Sequence, residues 1–311
     1  MKQTGRTPKQ ENSGATGPKA GPAKARPNEP GTLYLIPTPL GRDPVNRVLA
    51  EHVLQTLYNL DTFFVENIRQ TVSFLQWARH PLPDFKCRFY ELHKRTPAEE
   101  LLEMLHVLKQ GSSAGVLSEA GCPGIADPGG KLVRLAHSAG VPVVPLVGPS
   151  SLVLALMASG FNGQRFSFHG YLAFPGKERS RQIQQLEVES GLHQMTQMFI
   201  EAPYRNNDLL EELVERLRDD TLLCTASNLT LEHEQVISQP VSGWKKNKPD
   251  LHQQPTVFLL LAGAQHTTAQ ERQRALEQDT SAFTRKTGRK KNKKKARTPV
   301  HPGFNNNSKK V

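Results

Sequence analysis

Cysteine is scarce in this 311-residue chain: Cys87, Cys122 and Cys224 are the only three, and no two form a Cys-x-x-Cys pair. Neither a disulfide framework nor a zinc ribbon is indicated, and a reducing cytoplasm suits the composition. No apolar run is long enough to span a bilayer, and the N-terminus has no apolar signal-peptide core. A soluble, cytosolic protein with no membrane association is therefore expected. Also missing are His-Glu-x-x-His, Gly-x-Ser-x-Gly, a Walker A loop and any Gly-x-Gly-x-x-Gly after a strand. Those absences speak against a zinc protease, a serine hydrolase, a P-loop nucleotidase and a dinucleotide enzyme. No bound metal is expected.

Acidic residues are missing from the stretch Arg285 to Lys310, where eleven Lys or Arg equal the whole net charge of +11. Residues 1–30 carry six basic residues against Glu11 and Glu29, which leaves 31–284 with a net charge of −4. The basic character belongs to the ends. Residues 1–30 are rich in Gly, Pro, Lys and Ala, too polar to offset ordering entropy, and are expected to be disordered. Residues 264–311 turn polar and then basic and are expected to be a disordered tail, available to RNA phosphates or to any polyanion. The remaining length suits two α/β domains, 31–147 and 148–263.

The most informative stretch is Leu117-Ser118-Glu119-Ala120-Gly121-Cys122-Pro123-Gly124-Ile125-Ala126-Asp127-Pro128-Gly129-Gly130. It follows the apolar run Ala114–Leu117, which reads as a buried parallel strand, and it precedes a helical pattern from Lys131. Ordinary strand-to-helix connections have about two to six residues. This longer one lies where open α/β sheets place ligands, at the carboxyl end of a strand. A second strand, Thr32–Ile36, ends in a similar loop, Pro37-Thr38-Pro39-Leu40-Gly41. A third, Thr62–Val65, runs into Glu66-Asn67-Ile68-Arg69.

Helices are expected over Asn46–Leu57, Thr71–Ala78, from a capping box at Thr96-Pro97-Ala98-Glu99 to Gly111, over Leu152–Ala158 and over Asp208–Arg218. Trp77, on an apolar helix, is expected in the core rather than as a base-stacking surface. Further strands are expected at Val141–Leu146, Arg165–His169, Gln197–Glu201, Leu222–Ala226, Glu234–Ile237 and Thr256–Leu261.

The long loop resembles the Ser-Asp-Ala-Gly-Thr-Pro-Gly-Ile-Ser-Asp-Pro-Gly signature of the tetrapyrrole methylase superfamily, with Glu119, Cys122 and Ala126 in place of Asp, Thr and Ser. The branch it suggests is the small-subunit ribosomal RNA cytidine 2′-O-methyltransferases. Pro37–Gly41 matches that branch closely, and Gly148-Pro149-Ser150 matches too. Glu66-Asn67-Ile68-Arg69 departs from its Glu-Asp-Thr-Arg, while Glu201-Ala202-Pro203-Tyr204-Arg205 resembles its Glu-Ser-Pro-His-Arg. Ser227 and Asn228 stand where the branch has Arg and Glu.

The resemblance implies two α/β domains with S-adenosylmethionine in the cleft between them, and a homodimer. It implies that backbone groups of Ala120, Gly121, Cys122, Ile125, Ala126 and Asp127 hold the cofactor. Leu40, Ser150, Ser151, Ala202 and Thr256 would be further wall positions, although the two serines serve equally well as a helix cap. Glu66 is the candidate base for the acceptor's proton and Arg69 the group orienting it, unless the two form an ion pair. His233, between two glutamates, reads as a surface histidine. Three functions stay open: methylation of ribosomal or related RNA at the ribose 2′-oxygen, methylation of a small molecule such as a tetrapyrrole, or a non-catalytic S-adenosylmethionine- or RNA-binding paralogue.

Overall fold

A computed structural model describes residues 29–42 and 45–263. The segments expected to be disordered, 1–30 and 264–311, lie outside the described residues except for Glu29 and Pro30. The described residues divide into two compact units, one of 29–39 and 45–148, the other of 40–42 and 149–263.

The first unit alternates strands and helices: β1 (Leu33–Ile36), α1 (Val45–Val48), α2 (Glu51–Tyr58), β2 (Thr62–Val65), α3 (Ile68–Trp77), β3 (Arg88–Glu91), α4 (Ala98–Lys109), β4 (Ala114–Leu117), α5 (Gly130–Ser138) and β5 (Val143–Pro145). Its sheet has the order β3-β2-β4-β1-β5 and is parallel throughout. All four residues of β2 and of β4 are buried, as strands covered on both faces require. Phe64, Val116 and Leu33 pack with Leu101, Met104, Leu105 and Leu108 of α4. Phe63, Val65 and Ile36 pack with Val53 and Leu57 of α2 and Leu75 of α3. Each buried aliphatic or aromatic side chain of this kind contributes about 1.5–3 kcal/mol. Gly115 in β4 is needed for closeness, since a Cβ there would stand 2.6 Å from Cδ1 of Ile36.

Several expectations are corrected. The helix expected at Asn46–Leu57 is two pieces, α1 and α2, with Leu49 and Ala50 between them. The Thr96 hydroxyl does not cap α4; it accepts the His93 N–H at 2.6 Å and closes the preceding turn. Trp77, the last residue of α3, is 38% exposed and meets the edge of Phe74. It sits past the two residues that α3 buries, Thr71 and Leu75.

The second unit holds α6 (Ser151–Ser159), β6 (Phe166–Tyr171), α7 (Lys177–His193), β7 (Thr196–Ile200), α8 (Asn206–Arg216), β8 (Leu222–Ser227), β9 (Gln235–Pro240), α9 (Val241–Trp244) and β10 (Thr256–Leu261). Its sheet runs β6-β7-β10-β8-β9, with β6 and β7 parallel and the other neighbours antiparallel. One face packs under α7, α8 and α9 through Ile183, Leu186, Phe199, Leu213, Phe258 and Trp244. The other packs under α6 through Met198, Cys224, Ala226 and Leu259. Among the described residues no helix is long and apolar enough to cross a membrane.

Candidate active site

Because the first sheet is parallel, the loops after β1, β2 and β4 emerge at one edge. The register fixes their neighbourhood, since β4 lies between β1 and β2, with Leu117 opposite Ile36 on one side and Val65 on the other. This edge, next to the switch in strand order, is where parallel α/β sheets bind ligands.

The loops after β1 and β4 are tied together. The Thr38 N–H donates to the Gly121 carbonyl at 2.9 Å and the Gly121 N–H to the Thr38 carbonyl at 3.0 Å. The Thr38 hydroxyl adds a bond to the Ser118 carbonyl at 3.2 Å. Gly121 has φ +77°, a conformation that glycine adopts without steric cost. Its own polar groups are therefore engaged with Thr38, and its contribution is to hold the loop rather than to present a donor. Beyond it the chain stays open. Gly124, at φ +79°, has its nearest neighbour at 3.9 Å from a built Cβ, and Gly130 has none within 4 Å. Ala126 is left-handed at φ +65°, a strained conformation of the kind found at ligand-binding loops. Ala120, Ile125 and Ala126 are exposed, Cys122 and Asp127 half-buried.

Asp127 is the perturbed acid of this edge. Burial, with the nearby Glu66 carboxylate and Glu119 adding repulsion, pushes it up to about 6, against the opposing Ser118 hydroxyl and Lys94 ammonium. Glu66 follows β2 and is half-buried, and Asn67 accepts the Gln70 N–H at 3.2 Å as the cap of α3. Arg69 is exposed in the first turn of α3, and no ion pair joins it to Glu66 among the described residues. The departures at 67 and 68 thus have structural work: Asn caps a helix as well as Asp does, and Ile68 packs against the core. Burial raises the Cys122 thiol above its ordinary range, which disfavours a thiolate nucleophile there.

In the second unit, antiparallel pairing puts Val257 opposite Ile200 and Thr256 opposite Ser227. Ala202 and Thr256 therefore lie at one end of the sheet. The Thr256 and Ser227 hydroxyls are 2.9 Å apart, and the Ala202 N–H donates to Glu201 Oε1 at 2.7 Å. Ser227 is buried, and Asn228, at φ +50°, donates to Gln254 Oε1, so both replacements of the family's charged pair have local partners. Ser150 precedes α6 without a side-chain capping bond, so the capping role expected for it is not observed. Leu40 packs on the core beneath α6. His233 is exposed.

Thr38, Lys94, Ser118, Glu201 and Arg205 are not among the site residues expected from sequence. The Pro-Thr-Pro and Glu-Ala-Pro-Tyr-Arg motifs were the available signals for Thr38, Glu201 and Arg205. Lys94 had none.

The chain is 32% identical over 214 residues to ribosomal RNA small subunit methyltransferase I of Escherichia coli O157:H7, covering 69% of this chain and 71% of that protein. The chain belongs to the ribosomal RNA small subunit methyltransferase I family. The Bacillus subtilis strain 168 member is 32% identical over 217 residues, 69% of this chain and 70% of the relative. Family membership makes the chain a methyltransferase. No protein-family model matches the chain. The fold is that of the methyltransferase CobJ (TM-score 0.52, 16% identity, 75% of this chain and 94% of that one). It is shared by a conserved hypothetical protein of Aeropyrum pernix K1 (TM-score 0.55, 15% identity, 78% and 87%). The first unit's edge fits a methyl donor that carries a sulfonium: the Asp127 carboxyl complements positive charge, and the glycine-lined loop leaves backbone accessible.

Proposed function

We propose that this protein methylates small-subunit ribosomal RNA, at a ribose 2′-oxygen, in the cytoplasm. The observation that carries the reading is the 32% identity to the named ribosomal RNA methyltransferase across 71% of its length. Ala120, Gly121, Cys122, Ile125, Ala126 and Asp127 position S-adenosylmethionine, with Leu40, Ser150, Ser151, Ala202 and Thr256 as further contacts. Bound there, the cofactor supplies an electrophilic methyl group. The protein has to align the acceptor oxygen, exclude water and accept a proton. Glu66 accepts that proton, and Arg69 orients the ribose or a neighbouring phosphate.

The enzyme acts as a homodimer. Helix α6 is apolar on every side, and while Ala155 faces the core, Val153 and Met157 are exposed, Met157 by 74%. A helix apolar all round needs cover on both faces, and a second copy provides it. The basic segment 285–311, outside the described residues, contacts RNA phosphates.

The test is mass spectrometry of nucleosides from ribosomal RNA of cells with and without the gene, paired with methyl transfer from purified protein to small ribosomal subunits. Loss of one 2′-O-methylated nucleoside, restored by the protein, is the expected outcome. Identical nucleoside profiles with no transfer would overturn the reading and turn the search to small-molecule acceptors.

A further inference from the structure

We infer that Phe174, Arg205 and Tyr204 form a stacking platform for an unpaired nucleobase of the RNA. The inference rests on the RNA reading above and specifies how the strand is held.

These residues follow the carboxyl ends of the adjacent parallel strands β6 and β7, where Tyr171 pairs with Ile200. The Arg205 guanidinium lies 5.2 Å from the centre of the Phe174 ring and 4.9 Å from that of Tyr204. It donates to the Tyr204 hydroxyl at 2.6 Å and to Glu201 Oε1 at 2.6 Å. Glu201 is buried and stands 3.6 Å from Arg179, itself buried and bound to Glu212 at 2.5 Å. Glu201 holds Arg205 firmly protonated. The guanidinium is thus fixed from beneath by a buried ion cluster.

The rings above it are not covered. Phe174 is 78% exposed and Tyr204 56%, with Tyr171 exposed beside them. Exposing large rings to water forgoes the stabilisation their burial would give, while the network beneath holds them in a fixed arrangement. The charges of Arg179 and Arg205 are balanced by those of Glu201 and Glu212, so the cluster has no net attraction for a phosphate. A neutral, planar, polarisable ligand matches it, and a nucleobase stacked on rings or guanidinium planes is such a ligand.

The test uses full-length protein and a single-stranded RNA oligonucleotide carrying 2-aminopurine, whose fluorescence is quenched by stacking. Wild-type protein should quench it. Phe174→Ala and Tyr204→Ala should abolish the quenching and weaken RNA affinity roughly 5- to 150-fold, the range for losing one stacked base. The salt dependence should not change, because no phosphate contact is lost. Phe174→Trp should restore binding and Phe174→Leu should not. Affinity for S-adenosylmethionine, measured by calorimetry, should match wild type in every variant and shows that each is folded. Equal quenching in wild type and Phe174→Ala would overturn the platform, and so would absence of quenching by wild type. Rescue by Leu as good as by Trp would overturn it in favour of an apolar protein contact. Failure of wild-type protein to methylate ribosomal RNA would instead remove the reading beneath, leaving the oligonucleotide result to decide the platform alone.

Discussion

Thr38 and Gly121 exchange both backbone hydrogen bonds across 83 positions of sequence, joining the loops that leave β1 and β4. The bond pair needs Gly121 at φ +77°, where an L side chain costs about 1–2 kcal/mol. Gly121→Val should therefore lower the melting temperature by roughly 2–8 °C, given a few degrees per kcal/mol for a chain of this size. It should also weaken S-adenosylmethionine binding by about tenfold or more, as the loop loses its anchor. Calorimetry on the folded variant checks this; unchanged affinity would take the loop out of the binding site.

Glu66 is the proposed base, and its removal has two separable signatures. Glu66→Gln should lower kcat about a hundredfold, a usual contribution of a general base, while leaving cofactor affinity near wild type. The same change removes one of the two carboxylates that push Asp127 upward, so Asp127 should titrate below about 6. Carbon NMR of the Asp127 carboxyl reads the second effect independently of turnover. Wild-type kcat with a shifted Asp127 would return Glu66 to a purely electrostatic role.

Asp127 should make stability pH-dependent in a defined direction. Its folded-state value is raised, to about 6 from an ordinary 3.8, so the native state holds the proton more tightly than the unfolded chain. That contribution is fully present below about pH 3.8 and is lost as pH rises through about 6. Above that, ionised Asp127 destabilises the fold. The full shift corresponds to about 3 kcal/mol, and half-burial with solvent screening reduces it to about 1 kcal/mol. Asp127→Asn should thus melt higher than wild type at pH 8, with the gap closing towards pH 4. At pH 8 it should also bind the cationic cofactor more weakly. Parallel melting curves across that range would refute the assignment.

Strands such as β2 and β4 were legible because both faces are buried and the sequence is apolar throughout, Thr-Phe-Phe-Val and Ala-Gly-Val-Leu. The 17-residue α7 was not, because it buries Arg179 and Glu187 where a core pattern requires apolar residues. Glu187 is accommodated by the Thr221 hydroxyl at 2.5 Å and the Arg218 N–H at 2.9 Å, partners more than thirty positions away. β3, Arg-Phe-Tyr-Glu at the sheet edge, was too short and polar to stand out. In the site, loop identity was readable from glycines and motif order. The coupling of Glu66 to Asp127 was not, since it depends on the register of β2 against β4. Nor could the sequence show that Asn67 caps a helix.

The basic segment beyond Thr284 should act on RNA alone. It lies outside the described residues, and its run Arg285-Lys286-Thr287-Gly288-Arg289-Lys290-Lys291 continues without apolar periodicity to Arg297. Residues 31–284 carry a net charge of −4 and repel phosphates at long range, whereas the segment attracts them. Each phosphate contact it makes on a single strand should add roughly 0.7 to the slope of log affinity against log salt. Truncation after Thr284 should leave cofactor affinity and melting temperature unchanged while weakening RNA binding and flattening its salt dependence. This is the reverse of what loss of the Phe174 ring should do, where affinity falls at constant slope. Filter binding of one RNA at several salt concentrations, with both variants side by side, separates the two contributions. An unchanged slope in the truncated protein would remove the segment from the interface, and a fall in melting temperature would place it within the fold.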